Sequence, residues 1–379
     1  MERSKEEGEK YMEHIEKQEQ KKNTNNVQNT GEPGEKVHKR RVRYKGTHPR
    51  AFHEKYKEAQ PEKYADTIEK VIKKGSTPAG MHISIMVNEI LDVLKIQPGE
   101  QGLDATLGYG GHTSAMLECL KGQGHMYALD VDPIEIVKTK ERLEKKGFGP
   151  DILTIVQTNF ANIAQVAEQA GKFDFVLADL GVSSMQIDNP ERGFSYKVDG
   201  PLDLRLNPNA GQSAAERLRE LTKDEFIGMM IDNSDEPYAE EIAKVVFNSM
   251  RAGQYMNTTQ DLKNAIEKAL VVVSEKERKE AVKKSCARVF QALRIDVNSE
   301  FEVLYSFLEK LPEILNPGGR VAVLTFHSGE DRLVKKAFKQ LKKQGIYEQV
   351  SKDVIRPTQE ECVRNPRAKS TKLRWAIKA

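Results

Sequence analysis

Apolar and polar residues alternate along this chain in a way that predicts strands and helices in turn. Short apolar runs predict strands, and segments with apolar residues three or four positions apart predict helices. In the first half, the predicted strands lie at 101–107, 124–130, 152–157 and 173–180. The predicted helices lie at 83–94, 113–121, 133–146 and about 161–170. Strands alternating with helices indicate a mostly parallel sheet covered on both faces.

The second half of the chain interrupts this alternation. Residues 211–311 have no clear strand pattern and predict successive helices. The pattern then resumes with a strand at 320–326, a helix at 330–344, and strands at 347–355 and 372–377. These patterns divide the chain into four parts. Residues 1–50 are predicted to form a disordered, basic-ended extension and residues 51–80 a helical extension. An α/β domain covers 81–187 and 312–379, and a helical domain is inserted at 188–311.

A glycine-rich turn joins the first predicted strand to the helix after it. The segment from Asp104 to His112 reads Asp-Ala-Thr-Leu-Gly-Tyr-Gly-Gly-His. Such a turn brings backbone N–H groups close to an adenosine cofactor. A dinucleotide site requires Gly-x-Gly-x-x-Gly, but Thr113 occupies the position of the third glycine. The turn is instead similar to the first motif of S-adenosyl-L-methionine (SAM) methyltransferases.

Suitable side chains follow the other predicted strands as well. Ligands of open α/β sheets bind beyond the carboxyl ends of the strands. We expect Asp130 to accept hydrogen bonds from two ribose hydroxyls, Phe160 to pack on adenine, and Asp179 to face the transferable methyl group. Each residue alone has an ordinary structural explanation, as a turn acid, a core aromatic or a helix cap, but together they predict a SAM site.

Composition and charge narrow the cellular setting and the partners. No apolar run is long enough to span a membrane, and three widely spaced cysteines form neither a disulfide framework nor a metal-binding pattern, which predicts a cytoplasmic protein without metal. The net charge is only +3, but the basic residues are concentrated in two segments. Residues 36–50 carry 7 basic residues and no acid, and residues 332–379 carry 14 basic and 4 acidic residues. Basic ends favour a polyanionic partner, although such tails are often only solvated.

Several long motifs resemble one family over residues from about 80 to 379. They are Asp104–His112, Ala128–Pro133, Asp179–Gln186, Glu191–Ser195, Asp199–Arg205, Gly211–Ala215, Phe290–Glu300, Thr325–Arg332 and Asn365–Ser370. These motifs are similar to those of the MraW/RsmH family of bacterial 16S rRNA (cytosine-N4)-methyltransferases. The resemblance implies a class I, Rossmann-like methyltransferase with a seven-stranded, mostly parallel sheet and an inserted helical domain that recognises RNA. It also implies SAM as cofactor, the small ribosomal subunit as partner, and N4 of a decoding-centre cytidine, position 1402 in conventional rRNA numbering, as acceptor.

The resemblance transfers functional residues motif by motif. The implied SAM contacts are Gly110, Gly111, His112, Asp130, Phe160, Asp179 and Gln186. The cytosine N4 amine is a poor nucleophile, so the enzyme must orient it and accept its protons. We expect Asp179, Ser183 and Ser184 to provide those acceptor groups. The target base must also leave any stack before it enters the pocket.

A third group of residues is predicted to contact RNA or the target base. It consists of Arg192, Arg205, Arg294, His327, Arg332 and Arg367. The arginines either hold phosphates or organise loops through carboxylates, and for Arg205 a pairing with Asp203 is at least as well supported. His327 either lines the cytosine pocket or has a structural role. The basic segment from Arg364 to Lys378 is expected to contact phosphates.

Departures from the family pattern keep other functions open. Gly329 occupies the usual leucine position of the motif that ends at Arg332, the segment from His82 to Glu89 differs from the apolar-rich segment that follows a histidine in the family, and about 75 residues precede the matched region. The alternatives are methylation of another nucleic-acid cytosine and a non-catalytic rRNA-binding assembly factor. A nicotinamide dehydrogenase is disfavoured by Thr113. The sequence leaves the oligomeric state, monomer or homodimer, undecided.

Overall fold

The strands form one seven-stranded sheet. The computed structural model describes residues 84–379, so the predicted extensions at 1–50 and 51–80 lie outside the described residues. The strands are β1 (Gln101–Asp104), β2 (His125–Asp130), β3 (Leu153–Gln157), β4 (Phe173–Asp179), β5 (Leu315–Thr325), β6 (Tyr347–Val350) and β7 (Lys372–Lys378). Their order across the sheet is β3-β2-β1-β4-β5-β7-β6. The first five are parallel, and β7 runs antiparallel to both of its neighbours.

This strand order decides where a ligand can bind. The chain builds outward from β1 to β2 and β3, then crosses back to place β4 on the other side of β1. Ligands of open α/β sheets bind at such a reversal, beyond the carboxyl ends of the strands. The fold class predicted from the sequence is confirmed.

Helices cover the sheet and form the interruption between β4 and β5. They are α1 (Val87–Leu94), α2 (Gly111–Leu120), α3 (Pro133–Lys145), α4 (Ile163–Ala170), α5 (Ser184–Asp188), α6 (Ala214–Glu220), α7 (Lys223–Ser234), α8 (Ala239–Arg251), α9 (Thr259–Ala269), α10 (Glu275–Asn298), α11 (Glu300–Ile314), α12 (Ser328–Lys343) and α13 (Gln359–Arg364). Within residues 84–379, none is long and apolar enough to cross a membrane.

Several element ends differ from the sequence prediction. The first strand ends at Asp104 rather than at 107, because the Asp104 carboxylate accepts the Thr106 N–H at 3.0 Å and turns the chain. The fifth strand begins at Leu315, five residues before the predicted start. The predicted strand 347–355 pairs regularly with its neighbour only as far as Val350. Beyond it, Ile355 pairs with Leu373 through an isolated β-bridge.

The helical insertion has a hydrophobic core of its own. Its buried residues run from Leu202 to Leu293 and come mainly from α6 to α10. Helix α11 is not part of this core, because its residues Leu304, Phe307 and Leu311 pack in the core beneath the sheet together with Val176 of β4. The predicted insertion extended to residue 311. We propose instead that it ends near Ser299, which takes a left-handed conformation (φ 49°) between α10 and α11.

Candidate cofactor and methyl-transfer site

A cavity of about 430 Å³ opens at the carboxyl edge of the sheet. Its walls include the glycine turn after β1, the ends of β2 and β4, and part of the insertion. All the residues predicted to contact SAM or to accept protons line it, namely Gly110, Gly111, His112, Asp130, Phe160, Asp179, Ser183, Ser184 and Gln186. The arrangement brings these residues together, and their individual roles stay predictions.

The glycine turn requires glycine for two separate reasons. Gly110 has a φ of 78°, where other residues are strained, and a Cβ there would lie 2.7 Å from the Thr139 Cγ2 atom. A Cβ on Gly111 would collide with the Ser84 hydroxyl. Helix α2 begins at Gly111 without a side-chain cap. Gly111 and His112 line the cavity, so the N–H groups at this helix N-terminus can bind an anion such as the methionine carboxylate of SAM.

Asp130 joins the end of β2 to the glycine turn. Its carboxylate accepts the Gly108 N–H at 2.8 Å and the Asp132 N–H at 2.9 Å. Burial raises the pKa of Asp130 to about 6, and these backbone donors oppose the rise only in part. Each carboxylate oxygen keeps a second lone pair, so ribose hydroxyls can still donate to Asp130.

The Asp179 carboxylate at the end of β4 accepts fewer hydrogen bonds than the Asp130 carboxylate does. Its backbone N–H donates to the Thr106 hydroxyl at 2.7 Å, and its Oδ2 lies 3.4 Å from the His112 Nδ1. Its Oδ1 is buried and has no hydrogen-bond partner among the described residues. Burial raises the pKa of Asp179 to about 6; His112 lowers it, while the Asp104 and Glu330 carboxylates raise it. Asp179 thus has one buried oxygen without a partner, while its side chain is 26% exposed and lines the cavity.

The tautomer of His112 follows from its neighbours. Its Nε2 lies 2.9 Å from the Ile85 carbonyl oxygen, which can only accept, so Nε2 carries a hydrogen. The Nδ1 then faces Asp179, and a hydrogen bond between them requires one further proton on the pair. The same contacts fasten the segment before α1 to the cavity wall.

The loop after β4 is preorganised by a capping box. Ser183 caps α5 by accepting the Gln186 N–H at 3.2 Å, and the Gln186 side-chain oxygen accepts the Ser183 N–H at 2.9 Å. Across the cavity, the Phe160 ring stacks edge-on against Phe307, with centroids 5.3 Å apart. Phe160 is therefore both a cavity wall and part of the packing of α11.

The residues predicted to contact RNA divide into two groups. Arg294 and Arg367 line the cavity, paired with Glu300 at 2.7 Å and Asp188 at 2.9 Å. The remaining four, Arg192, Arg205, His327 and Arg332, are not among the residues that line it. Arg205 forks onto Asp203, as the structural alternative expected, and Arg332 is exposed on α12.

His327 lies behind the cavity wall. Its ring caps α12, with the Nδ1 accepting the Glu330 N–H, and its Nε2 lies 3.1 Å from a Glu330 carboxylate oxygen. Glu300, His327 and Glu330 could together hold a metal ion by distance alone. However, Arg294 occupies both Glu300 oxygens, and Glu330 accepts the Phe326 N–H. The carboxylates of Glu300 and Glu330 therefore already have donors, whereas the His327 Nε2 has no hydrogen-bond partner within the described residues.

Sequence reasoning missed several parts of the cavity wall. Ser84, Ile85, Asn298, Glu300 and Glu330 line the cavity but were not proposed as site residues. Asn298 and Glu300 lie in a motif that had already been matched, so their position in it was an available signal. Ser84 and Ile85 lie in the segment from His82 to Glu89, which departs from the family pattern, and their contacts with Gly111 and His112 place them at the cavity.

The cavity lining carries charges of both signs. Its carboxyl groups come from Asp130, Asp179, Glu300 and Glu330, but Arg294, which pairs with Glu300, and Arg367, which pairs with Asp188, also line it. Asp130 and Asp179 have no arginine or lysine partner among the described residues, and such carboxylates favour a sulfonium cation over an anion.

The sheet order, the uncapped glycine turn and the acidic strand ends define a class I SAM-dependent methyltransferase. SAM is the cofactor, as predicted. The chain belongs to the MraW methylase family, which matches residues 79–379.

Curated relatives match most of this chain. It is 71% identical to ribosomal RNA small subunit methyltransferase H 1 of Lachnoclostridium phytofermentans over 92% of this chain and 96% of that one. It is 66% identical to the protein of the same name from Agathobacter rectalis, over 91% and 99%. It is 37% identical to ribosomal RNA small subunit methyltransferase H of Heliobacterium mobile, over 78% and 98%.

The raised pKa of Asp179 predicts that this carboxylate destabilises the cofactor-free protein. Above pH 6 it is ionised in both the folded and unfolded states, and its burial cost is present in full. Below its ordinary pKa of 3.8 it is neutral in both states, and the cost vanishes. Asp179→Asn should therefore raise the melting temperature at pH 7.5 and lose that advantage as the pH falls from 6 to 4. Calorimetry across this range checks it, and a variant that is less stable at pH 7.5 contradicts it.

Proposed function

We propose that this protein transfers the methyl group of SAM to N4 of a cytidine in the decoding centre of 16S rRNA, at position 1402. It acts in the cytoplasm on the small ribosomal subunit. The observation that carries this proposal is the sharing of one cavity by the cofactor strand ends, the Asp179–Ser184 loop and the insertion residues Arg294 and Asn298. The names of the curated relatives supply the substrate class.

Methylation of the cytosine amine requires that the amine be positioned beside the methyl group and that nearby groups accept its protons. Bound SAM supplies an electrophilic methyl group on sulfur. As the new N–C bond forms and the C–S bond breaks, the amine becomes acidic and must lose one proton. The Asp179 carboxylate, whose side chain is 26% exposed and lines the cavity, is an acceptor for an N4 hydrogen, and its pKa of about 6 leaves it ionised at neutral pH. Ser183 and Ser184 lie beside it on a loop whose geometry the capping box holds.

A non-catalytic assembly factor is the other function that the sequence left open. A factor that no longer binds SAM has no need for two partly buried carboxylates that are costly to ionise or for a crowded glycine turn. Desolvation raises the pKa values of both Asp130 and Asp179, and that cost is explained by cofactor binding and chemistry. We therefore favour the enzyme.

Methyl transfer to small subunits from cells that lack this enzyme tests the proposal. With labelled SAM, label should enter 16S rRNA, and mass spectrometry of nuclease fragments should place it on N4 of cytidine 1402. Asp179→Asn should lower the rate by about 100-fold or more at saturating SAM, because a proton acceptor is lost. Label on another nucleotide overturns the acceptor assignment, and no label with intact SAM binding supports the assembly factor.

One surface of the protein fits the phosphates of such a substrate. The face of α12 opposite its buried residues Val334 and Phe338 carries six cations, namely Arg332, Lys335, Lys336, Lys339, Lys342 and Lys343. None of them takes part in an ion pair within residues 84–379, whereas Asp331 on the helix flank pairs with Lys372 and Arg374. We propose that this stripe, in addition to the C-terminal segment, contacts rRNA phosphates.

Neutralising the stripe should weaken RNA binding in a salt-dependent way. In the triple variant Lys335→Gln, Lys339→Gln and Lys343→Gln, the plot of log affinity against log salt should become shallower by about 2, since each phosphate contact contributes about 0.7. The matched control neutralises Lys138, Lys140 and Lys145 on α3, which packs on β2 and β3 at the far end of the sheet. Equal slopes for the two triple variants contradict the proposal.

A further inference from the structure

A buried carboxylate two residues after Asp130 connects the cofactor site to the rest of the cavity wall. Asp132 is fully buried and caps α3, with its Oδ1 accepting the Ile134 N–H at 3.0 Å. Its backbone N–H donates to Asp130. Its Oδ2 accepts two further hydrogen bonds, from Gln186 Nε2 at 2.9 Å and from Arg192 Nη1 at 2.7 Å. One carboxylate thus holds the end of β2, the start of α3 and the loop after β4.

Both polar atoms of the Gln186 side chain already have a partner in this arrangement. Its amide nitrogen donates to Asp132, and its amide oxygen accepts the Ser183 N–H. The orientation of the Ser183–Ser184 loop therefore depends on Asp132. Gln186 is 8% exposed, so little of its side chain is left to reach a ligand.

Arg192 extends the connection into the insertion. It is 7% exposed, and its second terminal nitrogen donates to the carbonyl oxygens of Arg205 at 3.0 Å and Leu206 at 2.8 Å. The Leu206 N–H in turn donates to Asn298 Oδ1 at 2.7 Å. Leu206 and Asn298 both line the cavity. A planar guanidinium suits this task, because its fixed fork directs donors to a carboxylate and to carbonyls at once.

These contacts leave Arg192 unsuited to the RNA contact expected from the sequence. Its terminal nitrogens are directed at Asp132 and at two carbonyl groups, away from solvent. A side chain held in this way can act on a substrate only through the groups it positions.

We propose that Arg192 is a positioning residue that couples the cofactor pocket to the RNA-binding wall. This inference rests on the proposed function. A ligand that hydrogen-bonds to Asp130 stabilises the β2–α3 turn, and through Asp132 and Arg192 it stabilises the 205–206 segment and Asn298. Binding of the cofactor and of RNA then favour one another, and the effect is reciprocal.

The coupling is measured as the ratio of RNA affinities with and without saturating S-adenosylhomocysteine, which occupies the cofactor pocket without turnover. For the wild type this ratio should be about 5 or more. Arg192→Lys keeps a positive charge beside Asp132 but lacks the fork, so the ratio should fall close to 1. Arg217→Lys is the control, because Arg217 pairs with Asp296 outside the cavity, and it should keep the wild-type ratio.

A second variant protects the test against simple unfolding. Asn298→Ala removes the acceptor of the Leu206 N–H and so breaks the same connection from the side of the insertion. Because it leaves no buried charge unpaired, the variant should fold, and its ratio of RNA affinities should also fall close to 1. A wild-type ratio of 1, or an unchanged ratio in both Arg192→Lys and Asn298→Ala, overturns the coupling. If the wild type binds S-adenosylhomocysteine but neither binds nor methylates rRNA, the proposed function fails instead.

Discussion

The placement of aspartates at the carboxyl ends of adjacent parallel strands is the constraint on which the site depends. Asp104, Asp130 and Asp179 end β1, β2 and β4; Asp104 is buried and the other two are partly buried. Each is held by a residue of the glycine turn or of the helix that follows it. Thr113 donates to Asp104, Gly108 donates to Asp130, and the Asp179 N–H donates to Thr106. These bonds fasten the glycine turn and the strand ends into one wall. Burial raises the pKa of all three carboxyl groups, so the fold holds them at a cost in stability.

The insertion attaches to that same edge through charged and amide groups. Its core is separate from the core of the sheet, yet the Arg192 guanidinium and the Asn298 amide join its loops to the end of β2. Arg294 and Glu300 form a second connection, at the passage from α10 to α11. Buried polar connections of this kind contribute little net stability, but they are directional. They therefore define how the two walls of the cavity face one another.

Much of the fold and part of the site could be predicted because the signals are local. A strand followed by glycines and a helix indicates the turn from consecutive residues, and an aspartate at a strand end indicates a ligand by position alone. These signals led to Gly110, Asp130 and Asp179, all of which line the cavity. Basic residues were harder to place. Arg192 and Arg332 carry the same charge, but one is buried against Asp132 and the other is exposed on α12.

The sequence by itself determined the order of the elements, the class of the fold and the family, because periodicity and motif spacing are properties of neighbouring residues. Only the tertiary structure decided which residues share a wall. Ser84 reaches Gly111, Arg192 reaches Asp132 sixty residues away, and α11 packs under the sheet rather than with the helices that precede it. Such pairings depend on how strands cross and helices dock. A single sequence carries the donors and acceptors but does not say which of them meet.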